Sequence, residues 1–241
     1  MTFEKWALGF SGCDGGDIGT SQNRSVWLCG IEWGGGHDAQ SLSESMKSDY
    51  SAPPFGYDNW NENLAYIFNW QAMKLLSAIS KNEVSSYKKY AENVKPFVVG
   101  SLGFFKMNLY PISFKNTSFD HWKSEFSSMT GLFGKSEYLQ WCEKNRFPVL
   151  RQWTSQYQPK LILCLGVSYK VEFLKAFFDS ENEFHREIIE EKELSWGINN
   201  NGTLVVVIPF MVNRYGLTKN TSIQKFGSRI AELLELNILK L

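Results

Sequence analysis

The chain has 241 residues, 43% apolar and 15% aromatic, a composition that excludes a disordered protein and supplies a sizeable core. Lysine plus arginine equals aspartate plus glutamate at 25 each, so no global field draws in nucleic acid, anionic membrane or acidic substrates, and any such contact must be a local patch. No stretch approaches the roughly 18 apolar residues of a spanning helix, the start lacks a basic segment followed by an apolar run, and Cys13, Cys29, Cys142 and Cys164 form no CxxC pair. The expectation is one cytoplasmic domain over residues 1–241, a monomer with buried thiols and without membrane, metal, iron–sulfur cluster or other cofactor.

Residues 9–22 hold five glycines among small polar residues and read as a loop. Those glycines precede a strand, whereas a phosphate-binding loop follows one. Ser25 to Ile31 is an apolar run of the kind found in a buried parallel strand, and it ends in Glu32-Trp33-Gly34-Gly35-Gly36. After a polar loop with Pro53 and Pro54, Asn61 to Ile79 carries apolar residues at helical spacing: Leu64, Ile67, Phe68, Met73, Leu76 and Ile79. Phe104 to Leu109 reads as a second strand stopped by Tyr110-Pro111, followed by helices over about 119–128 and 135–156, the latter broken or kinked by Pro148. Leu161 to Gly166 is a third buried strand, with Ser168 as N-cap of a helix through Phe178. Residues 184–196 and 203–209 are strand candidates around the turn Asn199-Asn200-Asn201-Gly202, and a last helix runs from about Thr221 to Leu236.

Alternating strands and helices predict a three-layer α/β/α sandwich around a central, mostly parallel four-stranded sheet. In such sheets the ligand lies beyond the carboxyl ends of the strands. Those ends here carry Glu32, Asn108 and the segment Pro209 to Leu217. A carboxylate just past a buried strand can activate water, and glycines beside it let a ligand approach the backbone. An Asn side chain offers a donor and an acceptor, as reading a pyrimidine edge requires, and Arg and aromatic side chains can hold a phosphate or enter a base stack. Each has a plainer reading: Glu32 can cap a turn or pair with a lysine, Asn108 can end a strand, Phe55 can pack in the core, and Arg214 and Tyr215 can lie in a solvated loop. His37, His121 and His185 are scattered, show no ligand spacing and are assigned no chemistry.

On these residues the chain resembles the uracil-DNA glycosylase superfamily, from about residue 24 to 236, through the order and spacing of segments. Gly30-Ile31-Glu32-Trp33-Gly34 is similar to its first motif, with Trp33 in place of the usual proline; Pro54-Phe55 looks like its base-stacking pair and Asn108 like its base-reading asparagine. The second catalytic motif departs, because no histidine follows Ile208 and Asn213 is the nearest polar replacement, ahead of Arg214-Tyr215 where the intercalating loop would lie. The resemblance implies a monofunctional DNA glycosylase that flips a base and hydrolyses its N-glycosidic bond, leaving an abasic site. It implies catalysis by Glu32 and Asn213, substrate binding by Ile31, Trp33, Gly34, Phe55 and Asn108, and DNA contact by Arg214, Tyr215 and Lys219. The missing histidine and the glycines after Trp33 point to a modified pyrimidine, such as a hypermodified cytosine of phage DNA excised in bacterial defence. The other reading keeps the fold without the reaction, as a binding module for DNA or a modified nucleotide.

Overall fold

The computed structural model describes residues 1–115, 118, 121–178, 182–212 and 214–238. Helix α1 (Phe3–Leu8) precedes a short strand β1 (Cys13–Gly16) and the buried strand β2 (Val26–Gly30). Helices α2 (Ala39–Ser45), α3 (Trp60–Asn63), α4 (Ile67–Ile79) and α5 (Tyr87–Val94) lead to β3 (Phe104–Asn108). Then come α6 (Ser124–Thr130), α7 (Lys135–Trp141), a π-helical turn (Cys142–Arg146), α8 (Phe147–Tyr157) and β4 (Leu161–Leu165). The chain closes with α9 (Lys170–Phe177), the hairpin of β5 (Phe184–Ile189) and β6 (Lys192–Ile198), β7 (Leu204–Ile208) and α10 (Asn220–Ile238).

The fold is α/β with a seven-stranded mixed sheet in the order β1-β3-β2-β4-β7-β6-β5. Strands β3, β2, β4 and β7 run parallel; β1 pairs antiparallel with β3, and the β5–β6 hairpin joins β7 antiparallel. The expected four strands are thus the centre of a larger sheet. Part of the glycine-rich stretch, Cys13-Asp14-Gly15-Gly16, is an edge strand, because pairing at an edge needs backbone groups and not apolar side chains. The 184–196 candidate is two strands, because Glu190 and Glu191 adopt φ of 48° and 64° and reverse the chain.

Every residue of β2, β4 and β7 is buried, as expected for parallel strands covered on both faces. Val26, Leu28, Leu163 and Val206 face α4, α5 and α10 through Met73, Leu76, Tyr90, Phe226 and Ile230. Trp27, Cys29, Ile162 and Val207 point the other way, to Trp6, Tyr138, Phe147, Leu150 and Phe173. Each fully buried Leu, Ile or Phe contributes about 1.5–3 kcal/mol relative to exposure. The four thiols are free and buried, as expected.

Helix boundaries depart from expectation in instructive places. The pattern over 61–79 is two helices, α3 and α4. Pro148 sits in the first turn of α8, where its missing N–H costs nothing, and the irregularity falls just before it as the π turn. That turn places Arg146, fully buried, where its guanidinium donates to the carbonyls of Ser11 (2.8 Å), Leu109 (3.1 Å), Gly9 (3.2 Å) and Ala7. Ser168 lies within a 3-10 turn (Val167–Tyr169) and does not cap α9. The helix expected over about 119–128 begins at Ser124, and Phe119 and Asp120 lie outside the described residues. Among the described residues no helix is long and apolar enough to cross a membrane.

Candidate active site at the ends of the central strands

From β2 the chain moves outward to β3, then returns past β2 to β4 and on to β7, so successive connections diverge between β2 and β4. Ligands of open α/β sheets bind at such a divergence, outside the carboxyl ends of the strands. Tyr110 N–H donates to the Ile31 carbonyl (2.9 Å) and Leu109 N–H to that of Gly30 (2.9 Å), so the ladder continues past both strands and Glu32 emerges just beyond it. Across the divergence, a Cβ on Gly166 would lie 2.8 Å from Ile31 Cδ1, so Ile31 bridges the ends of β2 and β4.

The Glu32 side chain is only 7% exposed and its Oε2 lies 3.6 Å from Nζ of Lys135, itself 1% exposed. Lys135 opens α7, where the helix dipole disfavours a cation; the carboxylate and the Phe114 ring, 4.0 Å from Nζ, compensate. Burial pushes the Glu32 carboxyl up to about 7 despite the opposing pull of Lys135, and burial likewise lowers the Lys135 ammonium. Near neutral pH this carboxyl therefore exists in both forms, the condition for acid–base work. Glu32 Oε1 and Trp33 Nε1, an acceptor and a donor, are buried without a protein partner. Unpartnered buried groups are rare, and two on adjacent residues mark a place that an outside group completes.

The loop that follows is pinned to the chain leaving β3. His37 N–H donates to the Ser113 carbonyl (2.8 Å), and Ser113 N–H donates to His37 Nδ1 (2.9 Å). The imidazole lies 6.3 Å from the Trp33 ring at 27°. Gly34 and Gly35 are exposed and face open space.

Asn108 is opposite Gly30, and a Cβ on Gly30 would sit 2.5 Å from Asn108 Oδ1, so the glycine is what lets this amide lie over the end of β2. Asn108 Nδ2 donates to the Gly12 carbonyl (3.0 Å), which ties β3 to the turn before β1 and engages one amide hydrogen. Phe68, half-buried in the first turn of α4, reaches the same end of β2 and lies 5.9 Å from the half-buried Phe210 ring that follows β7. Phe55 is 80% exposed, and its backbone bridges Gly15 of β1, with β1 and β3 between it and β2. At about 4.8 Å per strand that is on the order of 14 Å to the side. Next to it, buried Lys106 donates to Asn69 Oδ1 (2.8 Å) and Tyr57 Oη (3.0 Å) and pairs with Asp14 Oδ2 (3.2 Å), an oxygen that has no hydrogen-bond partner in the protein.

Beyond β7, Arg214 and Tyr215 are exposed, the guanidinium 5.7 Å from the ring, and Lys192 Nζ holds the Tyr215 carbonyl (2.9 Å). Lys219 is exposed on the same loop. Lys225 and Arg229, which follow in sequence, are engaged by Glu190 and Glu187 of the hairpin and do not extend this basic patch. Asn213 lies outside the described residues. Ile31, Glu32, Trp33 and Gly34 thus follow β2 and Asn108 ends the adjoining β3, all at the carboxyl ends of the central strands, and Phe55 is held apart at the sheet edge. Sequence reasoning missed Lys135, Phe68, Phe210 and His37. Two of these carried a local signal, His37 by its place in the Glu32 loop and Phe210 by its place in the Pro209 to Leu217 strand end.

No protein-family model matches this chain, and no curated protein is similar to it in sequence. Fold and site together define an α/β protein with a nearly buried, near-neutral carboxyl where the central strands diverge.

Proposed function

We propose that this chain is a monofunctional DNA glycosylase of the uracil-DNA glycosylase type, its central parallel strands and flanking helices forming the sandwich of that superfamily. The observation that carries the reading is Glu32, a carboxyl at about 7, one oxygen unpartnered, at the strand divergence. In its ionised form it takes a proton from water. The water oxygen bonds to C1′ of the deoxyribose as the N-glycosidic bond breaks, and the bond electrons leave with the base. Asn108 Oδ1 and its remaining amide hydrogen suit a base edge, the half-buried Phe68 and Phe210 rings suit a flipped base, and Arg214, Tyr215 and Lys219 suit the strand that carries it. The open space at Gly34 and Gly35, next to Glu32, favours a pyrimidine bearing a substituent, as in the hypermodified cytosine of an invading phage.

The Glu32–Lys135 pair favours a second reading, a non-catalytic module in which the carboxyl only holds α7. Duplexes carrying uracil, thymine, hydroxymethylated cytosine or glucosylated cytosine, treated with alkali after incubation, separate the two. The glycosylase reading expects strand breaks at the modified base, and a loss of at least about a hundredfold in single-turnover rate for Glu32→Gln with DNA binding kept. Retention of every duplex without abasic sites leaves the binding module.

A further inference from the structure

We infer that the cleft where α3, α4 and α5 meet is a second nucleotide site, one that takes an unpaired base from the strand carrying the target. The inference rests on the nucleic-acid part of the reading above and needs no base release. The cavity has a volume of about 460 Å³ and is lined chiefly by Trp60, Asn61, Leu64, Trp70, Tyr87 and Lys88. That volume is in the range that encloses small ligands. Trp60 and Asn61 open α3, Trp70 closes the first turn of α4, and Tyr87 and Lys88 open α5, so short helices bring three flat rings and a cation to one place.

The lining selects the ligand. Trp70 and Tyr87 lie 6.4 Å apart at 40°, and Lys74 Nζ sits 4.4 Å from the Trp70 ring and 5.5 Å from that of Tyr87. Those rings already serve one cation, exposed Lys88 supplies another, and none of the lining residues is acidic, so a further ammonium, the usual guest of an aromatic cage, is repelled. A nucleotide uses both features: its base stacks on an aromatic face and its phosphate meets a lysine. A paired base is covered on both faces within the duplex, so the guest must be unpaired. Position ties the cleft to the strand ends. Phe68, two residues before Trp70, reaches the end of β2, and Lys74 Nζ donates to Oδ1 of Asn220 (2.8 Å), the first residue of α10 and the one after Lys219. Two residues make over half a turn, so Phe68 and Trp70 look out from nearly opposite sides of α4, separated by about the 10–12 Å of a helix diameter. A strand gripped by the 214–219 loop therefore crosses from the site to the cleft within a few nucleotides.

Two measurements on the full chain test the site. Short single-stranded oligothymidylate with iodouracil in place of thymine is crosslinked to the protein by ultraviolet light, and the joined peptides are identified by mass spectrometry. Crosslinks at Trp60, Trp70 or Tyr87 are expected from the single strand and not from the same strand in a duplex. Binding of unmodified oligothymidylate is then titrated. Trp60→Leu is expected to weaken it about tenfold through lost stacking, and Trp60→Phe to keep most of the affinity. Lys88→Ala, an exposed change that spares the fold, is expected to reduce the slope of log K against log salt by about 0.7. Crosslinks confined to other peptides, equal crosslinking from the duplex, or unchanged affinity and slope in the variants overturn the inference, and so does a protein that binds no single strand. Base release from duplexes by a protein that leaves the cleft empty keeps the glycosylase reading and removes this site. Crosslinking at the cleft by a protein that releases no base does the reverse.

Discussion

At the scale of single residues, the balance between burial and charge at Glu32 sets what the site can do. Desolvation raises the carboxyl and Lys135 lowers it, and the outcome near 7 shows that desolvation prevails. If ionised Glu32 is the base, single-turnover base release rises with pH through about 7. Lys135→Met removes the cation, so the carboxyl climbs further and the rise in rate moves to higher pH, while the plateau at alkaline pH changes less. A pH–rate profile of the two proteins checks this; a rate that falls with pH through this range, the fall moving to higher pH in the variant, would mean that Glu32 works as an acid. Asn108 is bound by a different constraint. Its amide donates to the Gly12 carbonyl, so Asn108→Asp sets an ionised oxygen against that acceptor and should cost about 1–3 kcal/mol in urea unfolding, besides any change in base choice.

Among the elements, α4 and α10 approach so closely that a Cβ on Gly227 would lie 2.3 Å from Ala78 Cβ and 3.0 Å from its carbonyl carbon. Gly227→Ala gains about 1 kcal/mol of helix propensity and loses about 1–3 kcal/mol to overpacking against backbone that cannot yield. The variant should unfold at lower urea concentration, and Ala78→Gly in the same chain should restore part of the difference. The β5–β6 hairpin is tied down by charge. Glu193 accepts from Lys170 (2.7 Å), Ser195 (2.7 Å) and Arg186 (2.8 Å), which holds its carboxyl down at about 2. A lowered carboxyl stabilises the fold above its unfolded value near 4.5, and that contribution is lost as the pH falls towards 2. Glu193→Gln should therefore cost about 1 kcal/mol near neutrality, allowing for solvent screening. Its unfolding curve should converge with that of the wild type in acid.

For the whole molecule, zero net charge leaves nucleic-acid contact to local patches, and ion pairing decides which cations are left for it. Lys225 and Arg229 are held by the hairpin carboxylates, whereas Arg214 faces solvent beside Tyr215. Changing Arg214 and Tyr215 together to Ala should weaken duplex binding and reduce the slope of log K against log salt by about one, and Lys225→Ala should leave the slope as it is. Titrations at two salt concentrations distinguish them. The four parallel strands, the loop at Glu32 and the last helix were legible in the chain, because a strand covered on both faces must be apolar throughout and a strand end at a ligand site must not be. The edge strand at Cys13–Gly16 was not, since backbone pairing leaves no mark on side-chain pattern. Likewise Phe68 and Phe55 are both aromatic residues near helix or turn signals, and only the sheet order puts one over β2 and the other beyond β1. By itself the sequence determined which segments are buried and which residue types stand at their ends. The tertiary structure alone decided that Lys135 meets Glu32 and that Ser113 N–H meets the His37 ring, because burial is written locally in apolar pattern whereas a partner distant in the chain is chosen by topology.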